Sequence, residues 1–223
     1  MLDIIKQAPL TSIIVAITCI VSYLAFQNRE LLDKLIFHPY TVAREGSEKV
    51  RFITNGFIHA DMMHLILNMY VLYMFGSTVE IIFVNQLFDP MIGRVLYLLL
   101  YFGAVIVACI PAFMKHKDNP NYRSLGASGG TSAILLAYCL FYPWNWLLLF
   151  FIIPIPAIVA AFGYLLYSSY MSKQTSDNIA HDAHLGGAVF GIIFTLIVIF
   201  AFVPEVVPGM IEGILQGPSM PNF

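Results

Sequence analysis

The sequence predicts an all-α, polytopic membrane protein that forms a bundle of six transmembrane helices. Hydrophobic residues make up 59% of its 223 residues and charged residues 11%, and the mean hydropathy of +0.80 lies far above that of soluble domains. Several runs of roughly 20 residues carry no charge, which is the length a helix needs to cross the hydrocarbon core. We therefore expect one membrane domain over residues 1–223, embedded in a lipid bilayer.

The apolar runs define the helices in chain order. Residues 124–172 are free of charge over about twice the length of one span, so this run must hold two helices. The motif "YPWNW" divides it, because proline, asparagine and interfacial aromatics favour a turn at the membrane surface. Pro154 and Pro156 are expected to kink the second of these two helices. The six expected helices lie at about residues 10–26, 57–79, 95–114, 126–142, 147–168 and 183–204.

Polar residues cluster at the beginnings of the second, fourth and sixth helices. These helices begin with "HADMMHLILN", "GASGG" and "HDAHLGG". In a chain that crosses the membrane six times, these three beginnings lie on the same side. At about 1.5 Å of rise per residue, His64, Ser128 and His184 are expected at a similar shallow depth. Ionisable residues inside a span are costly and usually mark a functional site.

A serine and a histidine are the minimum set for nucleophilic acyl transfer. The imidazole accepts the hydroxyl proton and later returns it to the leaving amine. Ser128 and His184 fit these two roles. Ser128 lies in the first turn of its helix, where unpaired backbone N–H groups and the helix dipole favour a developing oxyanion.

The second helix offers further hydrogen-bond donors for that oxyanion. His64 and Asn68 are four residues apart, so their side chains point from the same helical face. His59, just before them, is a candidate for a further donor or for a supporting role behind these groups.

Glycines around Ser128 and after His184 predict close helix packing. Gly126 and Gly129 allow a sharp turn and a close approach, and Gly187 and Gly191 form a small-xxx-small spacing on the sixth helix. Close approach of the fourth and sixth helices is what would bring a serine within reach of a histidine.

Three motifs together resemble the rhomboid family of intramembrane serine proteases. They are H-x4-H-x3-N in the second helix, G-x-S-G at the start of the fourth and "AHLGG" at the start of the sixth. The resemblance implies a serine-type endopeptidase with Ser128 as nucleophile and His184 as base. It implies that His64 and Asn68 stabilise the oxyanion together with backbone groups at Gly126 and Gly129.

The resemblance also implies the substrates, which would be single-pass transmembrane proteins cut near the membrane boundary. Glu80 resembles a structural carboxylate that the family carries at the far end of the second helix. The chain departs from the family at Ser132, where a tyrosine often stacks on the catalytic histidine. Another of the 18 Phe and 12 Tyr residues would have to take that place. The first loop lacks the Trp-Arg pair expected of the family.

The sequence also contains features that argue for or against other classes of function. A net charge of −2 without a basic block argues against nucleic acid as a partner. We expect no metal and no cofactor, because "HADMMH" lacks the H-E-x-x-H spacing and the three cysteines lack metal-type spacing. A non-catalytic rhomboid-like protein that binds membrane helices, or a small transporter, stays an alternative. A transporter site would lie near the midplane of the bilayer.

The charges of the loops do not agree with the orientation that the resemblance implies. One side of the six-helix arrangement would carry nine Lys and Arg residues and the other side two, which predicts that the nine-charge side is cytoplasmic. The resemblance implies the reverse, with both termini in the cytoplasm. We expect an integral multi-pass protein of a bacterial inner membrane.

Overall fold

A computed structural model of the chain describes residues 6–149, 152–171 and 181–218. Its apolar helices, labelled in chain order, are α1 (Pro9–Gln27), α2 (Met62–Leu87), α3 (Pro90–His116), α4 (Ser128–Phe141), α5 (Ala157–Met171) and α6 (His181–Phe202). Within the described residues, α1, α2, α3 and α6 are long and apolar enough to cross a membrane. The helical membrane fold is thus confirmed, but α4 and α5 have only 14 and 15 residues and are shorter than a full span.

The second and third helices are longer than the apolar runs predict. An N-cap sets the start of each one: the Asp61 side chain accepts the His64 N–H, and the Asp89 side chain accepts the Met91 N–H before Pro90 at the first helical position. The second helix therefore begins at Met62 rather than at residue 57. It continues through two π-helical segments to Leu87.

The fifth helix begins about ten residues later than predicted. Strands β1 (Trp146–Leu149) and β2 (Ile153–Pro156) form an antiparallel hairpin there, with Trp146 opposite Pro156. Pro154 and Pro156 therefore lie in a strand, and the expected kink in the fifth helix is wrong. The physical reason is that a residue before proline is disfavoured in the α conformation, which keeps Ile153 and Ile155 extended.

A buried carboxylate joins α2 to the beginning of α1. Glu80 is 1% exposed and accepts hydrogen bonds from the Leu10 and Thr11 N–H groups at 2.9 and 2.7 Å. It also accepts the Thr11 hydroxyl at 2.7 Å, and that hydroxyl lies 2.6 Å from the Tyr97 hydroxyl of α3. Glu80 thus satisfies backbone donors in the first turn of α1, which is the structural role that its position suggested.

The loop between α1 and α2 is built from short helices, at Arg29–Leu35, Pro39–Arg44 and Arg51–Thr54. Arg51 holds them together by donating to the carbonyls of Asp33 and Ile36 at 2.6 and 2.9 Å and by pairing with Glu48. A backbone bridge between Phe37 and Ser124 then ties this loop to the segment before α4. The loop is therefore anchored by an arginine although the Trp-Arg pair is missing.

Candidate functional site

The beginnings of α2 and α4 meet at Gly126. This glycine has a φ of 121°, in the region that only glycine adopts easily, and a Cβ there would lie 2.8 Å from the His64 ring. Its N–H donates to the Asn55 carbonyl at 3.0 Å. Two residues later α4 starts at Ser128. The turn at Gly126 thus puts the imidazole of His64 beside the chain that leads into Ser128.

The beginnings of α4 and α6 are in direct backbone contact. A Cβ on Gly187 would overlap the backbone of Gly129, and a Cβ on Gly191 would overlap that of Ala133. Ser128 and Ala183, the residue before His184, line one small cavity of about 20 Å³. The glycine spacing on the sixth helix therefore does what the sequence suggested, since it allows α6 to approach α4 next to Ser128.

The His184 ring stacks on Tyr164 of α5. The ring centroids are 6.1 Å apart and the planes differ by 22°. The Tyr164 hydroxyl lies 2.6 Å from the Ser132 hydroxyl, which in turn donates to the Ser128 carbonyl at 2.6 Å. Tyr164 therefore contacts the histidine of α6 and, through Ser132, the first turn of α4.

Asn68 connects the polar face of α2 to α4. Its amide nitrogen donates to the His64 carbonyl at 3.0 Å, and its amide oxygen accepts the Thr131 hydroxyl at 3.0 Å. That hydroxyl also lies 3.2 Å from the Ser128 carbonyl. The side chain is buried. The amide orientation is therefore fixed by α4, and one of its two N–H bonds has no partner among these contacts.

His59 lies behind the turn that precedes Ser128. Its Nε2 accepts the Ala127 N–H at 3.3 Å, so the neutral ring carries its proton on Nδ1 and donates to Ser22 Oγ of α1 at 2.9 Å. The pKa of His59 is lowered to about 3, mainly by burial and to a smaller extent by the nearby His64, while Asp61 opposes both effects. Because both ring nitrogens are engaged, this geometry favours the supporting role of His59 over that of a further donor.

Sequence reasoning missed two residues of this site, Tyr164 and Thr131. Each has a hydroxyl in an apolar helix, where a buried polar group needs a partner. The sequence therefore indicates that each hydroxyl takes part in a hydrogen bond. The sequence does not say which partner it has. The place left open by Ser132 is taken by a tyrosine from a different helix.

Comparison with known proteins gives one consistent result. The model of the rhomboid domain matches residues 46–200. The RHOMBOID-like protein 12, mitochondrial, of Arabidopsis thaliana is 33% identical over 149 residues, which are 63% of this chain and 44% of that protein. The presenilin-associated rhomboid-like protein, mitochondrial, of Homo sapiens is 31% identical over 143 residues, 61% of this chain and 34% of that protein. The chain thus spans less than half the length of these relatives.

These relatives correct the expected location. They are eukaryotic proteins named as mitochondrial, and the same holds for the matching protein of Danio rerio. The prediction of a bacterial inner membrane is therefore wrong. The composition establishes a membrane protein but carries no information about the compartment.

Proposed function

Because the chain belongs to the rhomboid family, whose members are generally intramembrane serine proteases, we propose that it is a serine endopeptidase that hydrolyses peptide bonds through Ser128 and His184. The observation that carries this proposal is the backbone contact between Gly129 and Gly187. It brings the helix turn that contains the proposed nucleophile next to the helix turn that contains the proposed base.

In the proposed reaction the Ser128 hydroxyl oxygen attacks the carbonyl carbon of the scissile bond while His184 takes the hydroxyl proton. The tetrahedral intermediate collapses, the C–N bond breaks, and His184 gives its proton to the leaving amine. A water molecule then attacks the acyl carbon while His184 accepts one of its protons. The ester C–O bond to Ser128 breaks, His184 returns the proton to the serine oxygen, and the new carboxyl terminus leaves. This dyad uses neither metal nor cofactor.

The oxyanion of the intermediate would be stabilised by donors from two helices. The first turn of α4 has no side-chain cap, so its backbone N–H groups, including that of Gly129, are open to an oxyanion. His64 and the remaining N–H of Asn68 would supply side-chain donors. Gly126 contributes because it has no side chain, and a side chain there would displace the His64 ring.

The substrates we propose are single-pass transmembrane proteins that are cut near the membrane boundary. Rhomboid proteases act on transmembrane substrates within the lipid bilayer. Ser128 is the first residue of α4, and His64 and His184 are also close to the beginnings of their helices. A site at helix ends is shallow, so water from the membrane surface has a short path to the acyl-enzyme.

Labelling with a fluorophosphonate tests the proposal. The purified chain in detergent is expected to form a covalent adduct on Ser128, and Ser128→Ala and His184→Ala are each expected to lose it while their melting temperatures stay close to that of the parent. Ser12→Ala in α1 and His38→Ala in the first loop serve as matched controls and should label normally. An unlabelled but folded parent would instead favour a rhomboid-like protein that binds membrane helices without cutting them.

A further inference from the structure

We propose that Tyr164 is a positioning residue that sets the orientation of the His184 imidazole, an inference that rests on the proposed protease function. Tyr164 belongs to α5, which carries none of the residues proposed to act in the reaction. Its ring nevertheless stacks on His184 with a centroid distance of 6.1 Å and an angle of 22° between the planes. Offset stacking at this distance is a favourable arrangement for two aromatic rings.

The Tyr164 ring is itself held by a directed chain of hydrogen bonds. The Ser132 hydroxyl donates its proton to the Ser128 carbonyl, so it accepts from the Tyr164 hydroxyl on its oxygen. Ser132 is buried, and this chain therefore lies in a setting where an unpaired hydroxyl would be costly. The tyrosine ring is thus fixed relative to the backbone of the proposed nucleophile.

This arrangement links the first turn of α4 to the orientation of a side chain on α6 through a residue of α5. Where α4 and α6 meet at Gly129 and Gly187 the contact is made by glycine backbone, so a restraint on the His184 ring has to come from side chains around it. Tyr164 of α5 supplies such a restraint, because its ring stacks on that of His184. Because proton transfer needs the imidazole within hydrogen-bond reach of the serine hydroxyl, a ring free to rotate would spend less time in the reactive geometry.

The test compares variants that remove the ring, the hydroxyl or the serine. Tyr164→Leu removes the ring and is expected to slow fluorophosphonate labelling of Ser128 on the order of 10²-fold. Tyr164→Phe and Ser132→Ala keep the ring but break the hydrogen-bond chain, and each should slow labelling about fivefold. Phe162→Leu is the matched control, because this aromatic lies on the same helix and is 64% exposed, and it should label at the parental rate.

A small soluble probe separates positioning from substrate entry. In cleavage of a transmembrane substrate, loss of positioning should lower kcat with little change in KM, whereas a role of α5 in admitting the substrate should change KM and leave probe labelling unaltered. The double variant Ser132→Tyr with Tyr164→Leu carries a tyrosine ring on α4 in place of the one on α5. Its labelling rate is expected to be at least about tenfold higher than that of Tyr164→Leu.

The outcomes distinguish this inference from the function on which it rests. If the parent labels and Tyr164→Leu labels at the same rate, the positioning role is overturned and the protease function stands. An effect on KM alone overturns it in the same way. If Tyr164→Leu lowers the melting temperature, the isosteric Tyr164→Phe decides, and a parental rate in both Tyr164→Phe and Ser132→Ala overturns the inference. A parent that does not label removes both proposals.

Discussion

Gly187 of α6 lies against the backbone of Gly129 of α4 so closely that a Cβ atom on Gly187 would overlap the Gly129 peptide. The contact joins the residue that follows Ser128 to a residue one helical turn after His184. Helix packing in membranes has no hydrophobic driving force between helices and depends on such close fits of small residues. The close approach of the helix turns that contain the proposed nucleophile and base therefore depends on the absence of a side chain at Gly187.

Gly187→Ala is expected to push α6 away from α4. Overpacking of this kind costs about 2 kcal/mol, and the shift of His184 should lower kcat/KM on the order of 10²-fold. Gly163→Ala in α5 is the matched control, because a Cβ there meets nothing within 4 Å. It should leave activity unchanged and leave the melting temperature equal or slightly higher. Parental activity and melting temperature in Gly187→Ala would contradict the role of this contact.

The apolar runs and motifs were enough to predict a helical membrane protein and the segments that meet at the site. Charge-free runs and the glycines at 187 and 191 carry this information locally, because length and side-chain size act at the residue itself. The hairpin at Trp146–Leu149 and Ile153–Pro156 was not predicted, because a short apolar run is compatible with both a strand and a helix. Pro154 and Pro156 are themselves a local signal for extended backbone, because each disfavours the α conformation of the residue before it.

The partner of His184 could not be predicted for a different reason. Ser132 indicated that an aromatic ring was needed from elsewhere, and the chain has 12 tyrosines from which to choose. The hairpin delays the start of α5 to Ala157 and so shifts the register of this helix, in which Tyr164 lies beside His184. That register depends on tertiary structure, and no spacing along the sequence reports it.

Asn68→Ala is expected to lower kcat by up to about 10²-fold with little change in KM, the scale reported for one oxyanion donor. Other donors remain on α4 and at His64, so activity should not be abolished. Thr131→Val removes the hydroxyl that holds the Asn68 amide oxygen at 3.0 Å, and should reproduce part of this loss. Asn145→Ala, at the hairpin, is the control and should keep parental kinetics. A change of KM alone in Asn68→Ala would point to substrate binding instead.

Glu80→Ala is expected to destabilise the chain by about 3 kcal/mol, because it leaves two backbone N–H groups and the Thr11 hydroxyl without their acceptor. Glu80→Gln keeps one acceptor oxygen and should lose less. Glu212→Ala removes an exposed carboxylate and should stay within about 0.5 kcal/mol of the parent. Thermal unfolding in detergent measures all three. Equal melting temperatures for Glu80→Ala and Glu212→Ala would contradict the capping role.

Acidification is expected to destabilise the folded chain through His59. This side chain is 1% exposed and must be neutral to accept the Ala127 N–H. In the folded chain its pKa is lowered to about 3, mainly by burial, with a smaller contribution from His64 and against the opposing effect of Asp61. An unfolded histidine has a pKa of about 6.5. Between these values the unfolded chain binds a proton that the folded chain excludes, so stability is greatest above about pH 6.5 and falls as the pH decreases.

The limiting slope for one such group is about 1.4 kcal/mol per pH unit. His59→Gln leaves an amide oxygen that is able to accept the Ala127 N–H but takes up no proton. Melting temperatures measured between about pH 7.5 and 4.5 should therefore fall less steeply in His59→Gln than in the parent, although the variant is less stable at pH 7.5. Ser12→Ala in α1, which alters no titratable group, should keep the parental slope. Parallel curves for His59→Gln and the parent would show that the proton is taken up elsewhere, because the only change between them is the loss of this imidazole.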